Sequence, residues 1–304
     1  MTAQGADDRL AAIRQNSAAD RNGVPIPAAA EAADSTSVWG KLSYGEFRRD
    51  TALSVASLTF DNSYNQTMQG LEFGVDRVVG KNADGTWVVG ALIGYDMSRV
   101  NFKADTDKLR YTTWNFGGYA SYTSASWFSD LLVKDDLTRV KFDFPAVPGI
   151  EKRDGNSFGA KVTAGGRFAS EGIDLEPLAS LAYVRSTLSN VEAPGSSFDF
   201  DSGNSLRGTL GLRLSTDMDQ GMTRVQPFLF AGVGNEFDAK NSVTMASGGS
   251  SIAIADKPIH SFGIASAGLN VAGQSGLSGF VKADGLFASH AKSFGFSAGL
   301  HLDL

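Results

Sequence analysis

The sequence predicts an all-β membrane protein, an antiparallel barrel of about twelve transmembrane strands. Three observations predict it. From Val38 to Leu304 apolar and polar residues alternate with a period of two. The alternating segments run roughly 12–16 residues, longer than the ~5–6 usual in soluble sheets and long enough for an oblique membrane crossing. The connections between them alternate between short and long, as in outer-membrane barrels.

Composition agrees with this and removes other classes. The chain has 304 residues with 35 Gly and no Cys, so glycine exceeds its usual ~7% without a collagen period. Zero Cys excludes a disulfide scaffold and a thiolate metal site. A formal charge of −6, spread without basic blocks, leaves no electrostatic footprint for DNA or RNA. No apolar run reaches the ~18 residues of a membrane helix. The first residues lack the basic and apolar regions of a secretory signal, which fits either a cytoplasmic protein or a fragment whose natural start was removed.

Residues 1–36 are rich in Ala, Asp and Arg and differ from the rest. Two short helices are predicted there, at 7–15 and at 27–34. The second opens with Pro27 at a first helical turn and is propagated by the alanines of 28–33. A disordered tail is the competing expectation.

Strands then follow in order at 38–49, 67–80, 86–102, 109–123, 127–143, 155–169, 173–189, 204–217, 222–238, 257–272, 276–288 and 292–304. The clearest is the last, where Phe294, Phe296, Ala298, Leu300, Leu302 and Leu304 alternate with Ser293, Gly295, Ser297, Gly299, His301 and Asp303. Trp87, Val89, Ala91, Ile93 and Tyr95 form the apolar face of the third, and Trp114, Phe116, Ala120 and Tyr122 that of the fourth. Phe158, Ala160, Val162, Ala164 and Phe168 mark the sixth, and Leu206, Leu210 and Leu212 the eighth. The remaining strands are bounded by turn residues, and the Gly- and Ala-rich tenth and eleventh leave their register open.

Short connections at 81–85, 124–126, 170–172, 218–221 and 273–275 face one side; long ones at 50–66, 144–154, 190–203 and 239–256 face the other, which places the long loops outside the cell. A Lys or Arg at the lipid midplane costs about 2–4 kcal/mol, so charges should collect on the inward parity. Glu72, Asp76, Asp130, Lys134, Lys161, Arg167, Glu176, Arg207, Arg213 and Arg224 do so. Asp135 breaks the pattern, which suggests a bulge in the fifth strand.

Over roughly residues 38–304 the chain resembles the C-terminal β-barrel translocator of bacterial autotransporters, the type V secretion pathway. The segments that carry the resemblance are 68–76 (MQGLEFGVD), 86–95 (TWVVGALIGY), 117–122 (GGYASY), 175–183 (LEPLASLAY) and 203–213 (GNSLRGTLGLR). It implies a twelve-stranded barrel with an α-helical linker in the pore, leading to a passenger on its N-terminal side. Residues 1–37 would then be the passenger-proximal linker and 38–304 the translocator. The stretch 27–37, with the small side chains of 28–33, would be the part inside the pore, and residues 1–24 are assigned to disorder.

The resemblance further implies a place in the outer membrane of a Gram-negative bacterium with the passenger at the cell surface. Partners would be outer-membrane lipid, the barrel-assembly machinery, periplasmic chaperones and its own passenger, and the barrel a monomer. Ser297, Gly299, Leu302 and Leu304 resemble the C-terminal assembly signal of such proteins, with Leu304 in place of the usual Phe or Trp. Some family members cleave their passenger in the pore at an Asn-Asn pair. None precedes the first strand here. Glu72, Asp76, Asp130, Lys134, Lys161, Arg167, Arg207 and Arg213 are therefore expected to line the pore without catalysis, the acids Glu72 and Asp130 as solvated charges or partners of Arg207 and Arg213.

No catalytic site, cofactor or metal is expected. His260, His290 and His301 lack metal-ligand spacing, and no nucleophile elbow is expected: the two Gly-x-Ser-x-Gly matches, at 155–159 and 295–299, lie inside predicted strands and not at a strand-to-helix turn. The alternatives are an outer-membrane pore or a surface adhesin barrel without passenger. The N-terminal helical segment favours export, as does a strand number below the 16–18 of open porins.

Overall fold

A computed structural model describes residues 7–19, 35–55, 58–82, 84–145, 152–170, 172–193, 195–220, 223–255, 258–273 and 276–304. Twelve long strands close into one antiparallel barrel. They are β1 (Thr36–Arg49), β2 (Tyr64–Asn82), β3 (Gly85–Phe102), β4 (Lys108–Thr123), β5 (Trp127–Asp143), β6 (Arg153–Gly166), β7 (Ile173–Leu188), β8 (Gly203–Thr216), β9 (Thr223–Lys240), β10 (Ser261–Gly273), β11 (Leu277–Ala288) and β12 (Ala291–Asp303). Each pairs with its sequence neighbours, and β1 also pairs with β12 from Ser37↔Asp303 to Arg49↔Ala291. The seam ends in a bond from the Leu304 amide to the Thr36 carbonyl at 2.8 Å. Closure leaves no strand edge facing lipid, where an unpaired backbone group would cost several kcal/mol, roughly.

The outer face is apolar because one parity of every strand carries the hydrophobic residues. Ile93, Phe116, Leu131, Val162, Leu181 and Leu210 are all exposed on it. Trp87, Tyr122 and Trp127 form an aromatic girdle near the short turns, with ring centroids 4.9 Å apart in both pairs. Tyr95 and Trp114, 5.0 Å apart, begin a second girdle nearer the long loops. Such belts sit at the two membrane interfaces.

Inward-facing glycines let large rings lie flat against the neighbouring strand. A Cβ on Gly74 would stand 2.3 Å from Trp39 Cε2, and one on Gly90 2.3 Å from Tyr119 Cζ. Glycine is thus a packing requirement at these two positions.

Differences from the expected elements have local causes. The sixth strand ends at Gly166, and Phe168–Ser170 turns back to pair with Ile173–Leu175. The bulge expected in the fifth strand is absent: β5 keeps register with both neighbours. Asp135 instead faces outward and accepts a bond from Asn156 Nδ2 at 3.0 Å. The register shifts fall between Val78 and Gly80 and between Leu206 and Arg207. In β10 and β11 the open register resolves with Asn270 and Lys282 inward and Leu269 and Val281 outward.

The long connections carry structure of their own. Ala52–Val55 and Leu58–Asp61 form a hairpin. Val191–Ala193, Ser196–Phe200, Ser242–Ser247 and Ser250–Ala255 build a four-stranded sheet over the long-loop end. One helix, α1 (Asp7–Ala19), is described. It occupies the first predicted helix, four residues longer, where disorder had been assigned. The second, at 27–34, lies outside the described residues.

Candidate functional site

Helix α1 lies in the lumen, and the inward parity of the wall explains how it is held. Leu10 and Ile13 pack against Trp39, Val88, Leu92, Tyr119 and Leu132. Around this small apolar contact the helix charges meet complementary wall charges. Arg9 donates to both oxygens of Asp76 at 2.6 and 2.7 Å. Tyr119 donates to Asp76 at 2.6 Å and receives the Trp39 indole N–H at 2.8 Å. Asp8 pairs with Lys282 at 2.7 Å and with Lys41 at 3.8 Å, and Asp7 with Lys161 at 2.5 Å. Arg14 bonds Asp130, which also accepts from Ser121, and stacks 4.1 Å above the Phe128 ring.

These contacts fix the direction of the helix. Its first residues reach Lys161 and Lys282, partway up β6 and β11. Arg14 reaches Asp130, near the start of β5, and its carbonyl accepts from Arg167 in the short turn after β6 at 2.7 Å. The N-terminus of α1 therefore points to the long-loop end and its C-terminus to the short-turn end, where β1 begins. Beyond the N-terminus the lumen widens into a cavity of about 680 Å³. Asp8, Glu72, Asp96, Asp136 and Thr138 line its floor and wall, with Asn241 and, from the loop sheet, Val243 at its mouth. Rings of Phe47, Tyr64, Phe102, Phe144, Phe142 and Phe200 follow one another along this mouth with centroids 5.6 to 6.5 Å apart.

Glu72, Asp76, Asp130 and Lys134 are buried and bonded in the lumen, and Lys161 is part-buried beside Asp7. Glu72 is held between Lys41 and Lys134 at 2.8 Å each. Glu72 and Asp130 bond Lys134 and Arg14, not Arg207. Arg207 pairs with Glu236 at 3.2 Å near the long-loop end, and Arg213 stacks 3.8 Å over Phe228. Arg213 stands directly opposite Glu176 of β7. Arg167 lies 3.4 Å from Glu176.

Lys41, Asp7, Asp8, Arg9 and Arg14 were missed in the sequence, the last four because they lie in a segment assigned to disorder. The signal present was charge alternating on a short helix former, with no wall yet to pair it with. At the C-terminus, Ser297 and Gly299 face inward and Leu302 and Leu304 are exposed on the outer face.

The histidines stay apart. His301 bonds Ser278 at 2.9 Å and its Nε2 lies 3.0 Å from Asp303, His260 precedes β10, and His290 lies between β11 and β12. Among the described residues no group of three or more His, Asp or Glu side chains is placed to hold a metal.

The Autotransporter beta-domain family matches residues 38–284. Among solved structures, the β domain of the Bordetella autotransporter BrkA aligns with a TM-score of 0.67 at 20% identity, over 88% of this chain and 98% of that one. The translocator domain of NalP from Neisseria meningitidis aligns with a TM-score of 0.70 at 13% identity, over 99% of both. The transport unit of AIDA-I from Escherichia coli aligns with a TM-score of 0.64 at 13% identity, over 88% of this chain and 90% of that one. No curated protein sequence matches this one.

Proposed function

We propose, from the premise that this chain belongs to the autotransporter β-domain family and is an outer-membrane translocator of a passenger, that residues 1–37 are the passenger-proximal linker of a pore plugged after export. The observation that carries this is the direction of α1. Helix α1 runs with its N-terminus toward the long-loop end and its C-terminus toward the short-turn end, the end at which β1 begins. Long loops face the cell exterior in outer-membrane barrels, so the passenger lies at the cell surface.

The wall charges Glu72, Asp76, Asp130, Lys134 and Lys161 act as the lining that seats the linker; Arg167, Arg207 and Arg213 complete the charged lining. The barrel itself performs no chemistry. Residues 1–37 are the linker and 38–304 the translocator. Full pairing of every barrel strand supports a monomer in outer-membrane lipid, since no edge is left for lateral association. Ser297, Gly299, Leu302 and Leu304 are the segment we assign to recognition by the assembly machinery, after delivery by periplasmic chaperones.

An epitope fused ahead of Met1 behind a secretory signal peptide tests this in a Gram-negative host. Protease added to intact cells should remove the epitope and leave the barrel. An epitope that stays protected in cells whose barrel is inserted and heat-modifiable on a gel would overturn the proposed topology.

A further inference from the structure

The outer wall carries a row of cations near the long-loop end that the lumen and its helix do not use. Arg99 of β3 stands opposite Arg110 of β4, and Arg110 opposite Lys141 of β5. All three are exposed and share the outward parity of Tyr95, Trp114 and Leu137. Directly opposed residues on one face have Cβ atoms about 4.5–5.5 Å apart, and like charges so placed repel each other. Three adjacent strands thus hold three positive charges side by side.

Their own carboxylates do not neutralise the row. Arg110 shares Asp143 at 3.6 Å, a contact with both partners about half exposed. Arg139, one step nearer the membrane, is bonded to Asp154 at 2.8 Å. Among the described residues Arg99 and Lys141 have no carboxylate partner. Lys108, also outward, stands opposite Asp143 and adds a further cation. The other outward cations near this end form no row of three: Arg48 of β1 opposes Lys292 of β12 alone, and Asn204 of β8 stands between Arg185 of β7 and Lys240 of β9.

Height along the strand indicates what meets this row. Arg99 lies four residues beyond Tyr95, or about 13 Å along the strand at ~3.3 Å per residue. With a tilt of about 40° that is roughly 10 Å above the aromatic girdle, the level of lipid head groups. Guanidinium groups match phosphate oxygens with paired N–H donors, and basic clusters at this depth attract anionic head groups.

We propose that Arg99, Arg110 and Lys141 form a binding site for the phosphate groups of an anionic glycolipid in the outer leaflet. A phosphate between opposed cations turns their repulsion into charge-assisted hydrogen bonds. The inference rests on the long-loop end facing the cell exterior.

Native mass spectrometry of the detergent-solubilised barrel tests it with bisphosphorylated lipid A, its dephosphorylated form and inorganic phosphate. The protein should hold the phosphorylated lipid about tenfold more tightly than the dephosphorylated one, and the triple variant Arg99→Gln, Arg110→Gln, Lys141→Gln should lose that preference. The double variant Arg185→Gln, Lys240→Gln, elsewhere on the wall, should keep it. Equal preference in the triple variant, no preference in the parent, or binding of inorganic phosphate without preference for the lipid would each overturn the site. The single Arg99→Gln variant, with folding read from its heat-dependent gel position, serves if the triple variant does not fold. Both ends are open to ligand in detergent, so a negative result counts against the site alone. Labelling of Ser250→Cys from outside intact cells reports separately on topology.

Discussion

Arg9 Nε and Nη2 donate to the two carboxylate oxygens of Asp76, joining a luminal helix to the barrel wall across 67 residues of sequence. Both side chains are nearly inaccessible to solvent, so each is the other's counter-charge. Breaking a buried pair from one side costs about 3–5 kcal/mol, because the remaining charge is left uncompensated.

Asp76→Ala should therefore loosen the helix without disturbing the strand. The expected readout is more frequent and larger openings in planar bilayers. Deleting residues 1–36 sets the upper limit, since it removes α1 and every wall contact it makes. A deletion variant with the conductance of the parent would show that the helix does not block the pore.

Glycines under luminal rings make a second expectation. Gly74→Ala places a methyl 2.3 Å from the Trp39 ring, which is fixed by its bond to Tyr119. Overpacking of this kind costs about 1–3 kcal/mol, and the gel-shift temperature of the folded barrel should fall. Gly118→Ala is the matched control: it faces outward and its nearest neighbour is a carbonyl at 3.7 Å. Equal temperatures for the two variants would show that ring contact does not select glycine at position 74.

Alternation made the strands legible, because period two with long segments has few other physical explanations. It also placed the inward charges, since lipid tolerates them poorly. Register failed only where alternation was lost: Ala and Gly in β10 and β11 fit either face, and Asp135 suggested a bulge where an outward carboxylate bonded to Asn156 suffices. The helix at Asp7–Ala19 was underrated for a different reason. Among its described side chains only Leu10 and Ile13 are apolar and buried, and other described contacts come from Asp76, Asp130, Lys161 and Lys282, far along the chain. Such pairing is set by tertiary proximity and leaves no local pattern. The same holds for Arg207, whose partner Glu236 is set by the bulge that shifts β8 against β9.

Lys161 and Val162 test the two faces at adjacent positions. Lys161 points inward to Asp7, whereas Val162 is exposed on the outer wall. Val162→Lys should destabilise the folded barrel by about 2–4 kcal/mol in bilayers, read as a lower urea midpoint in vesicle refolding. Lys161→Val, which removes one helix contact but introduces no charge into lipid, should leave that midpoint much closer to the parent. Equal midpoints for the two variants would contradict the assigned inside and outside.

Leu304 separates assembly from stability. Its side chain is 69% exposed, and its backbone closes the seam on Thr36. Leu304→Ser keeps that backbone bond and removes no buried contact, so the purified barrel should refold in detergent as the parent does. In cells the last strand must be taken up while its edge is still free, and an apolar terminal side chain presented beside a pairing edge is what a strand-capturing partner can hold. The same variant should therefore reach the outer membrane in smaller amounts, with the remainder degraded in the periplasm. Quantifying heat-modifiable barrel in outer-membrane fractions alongside refolding in detergent distinguishes the cases. Parallel losses in both would make Leu304 a stability residue, and normal levels in both would remove it from the assembly signal.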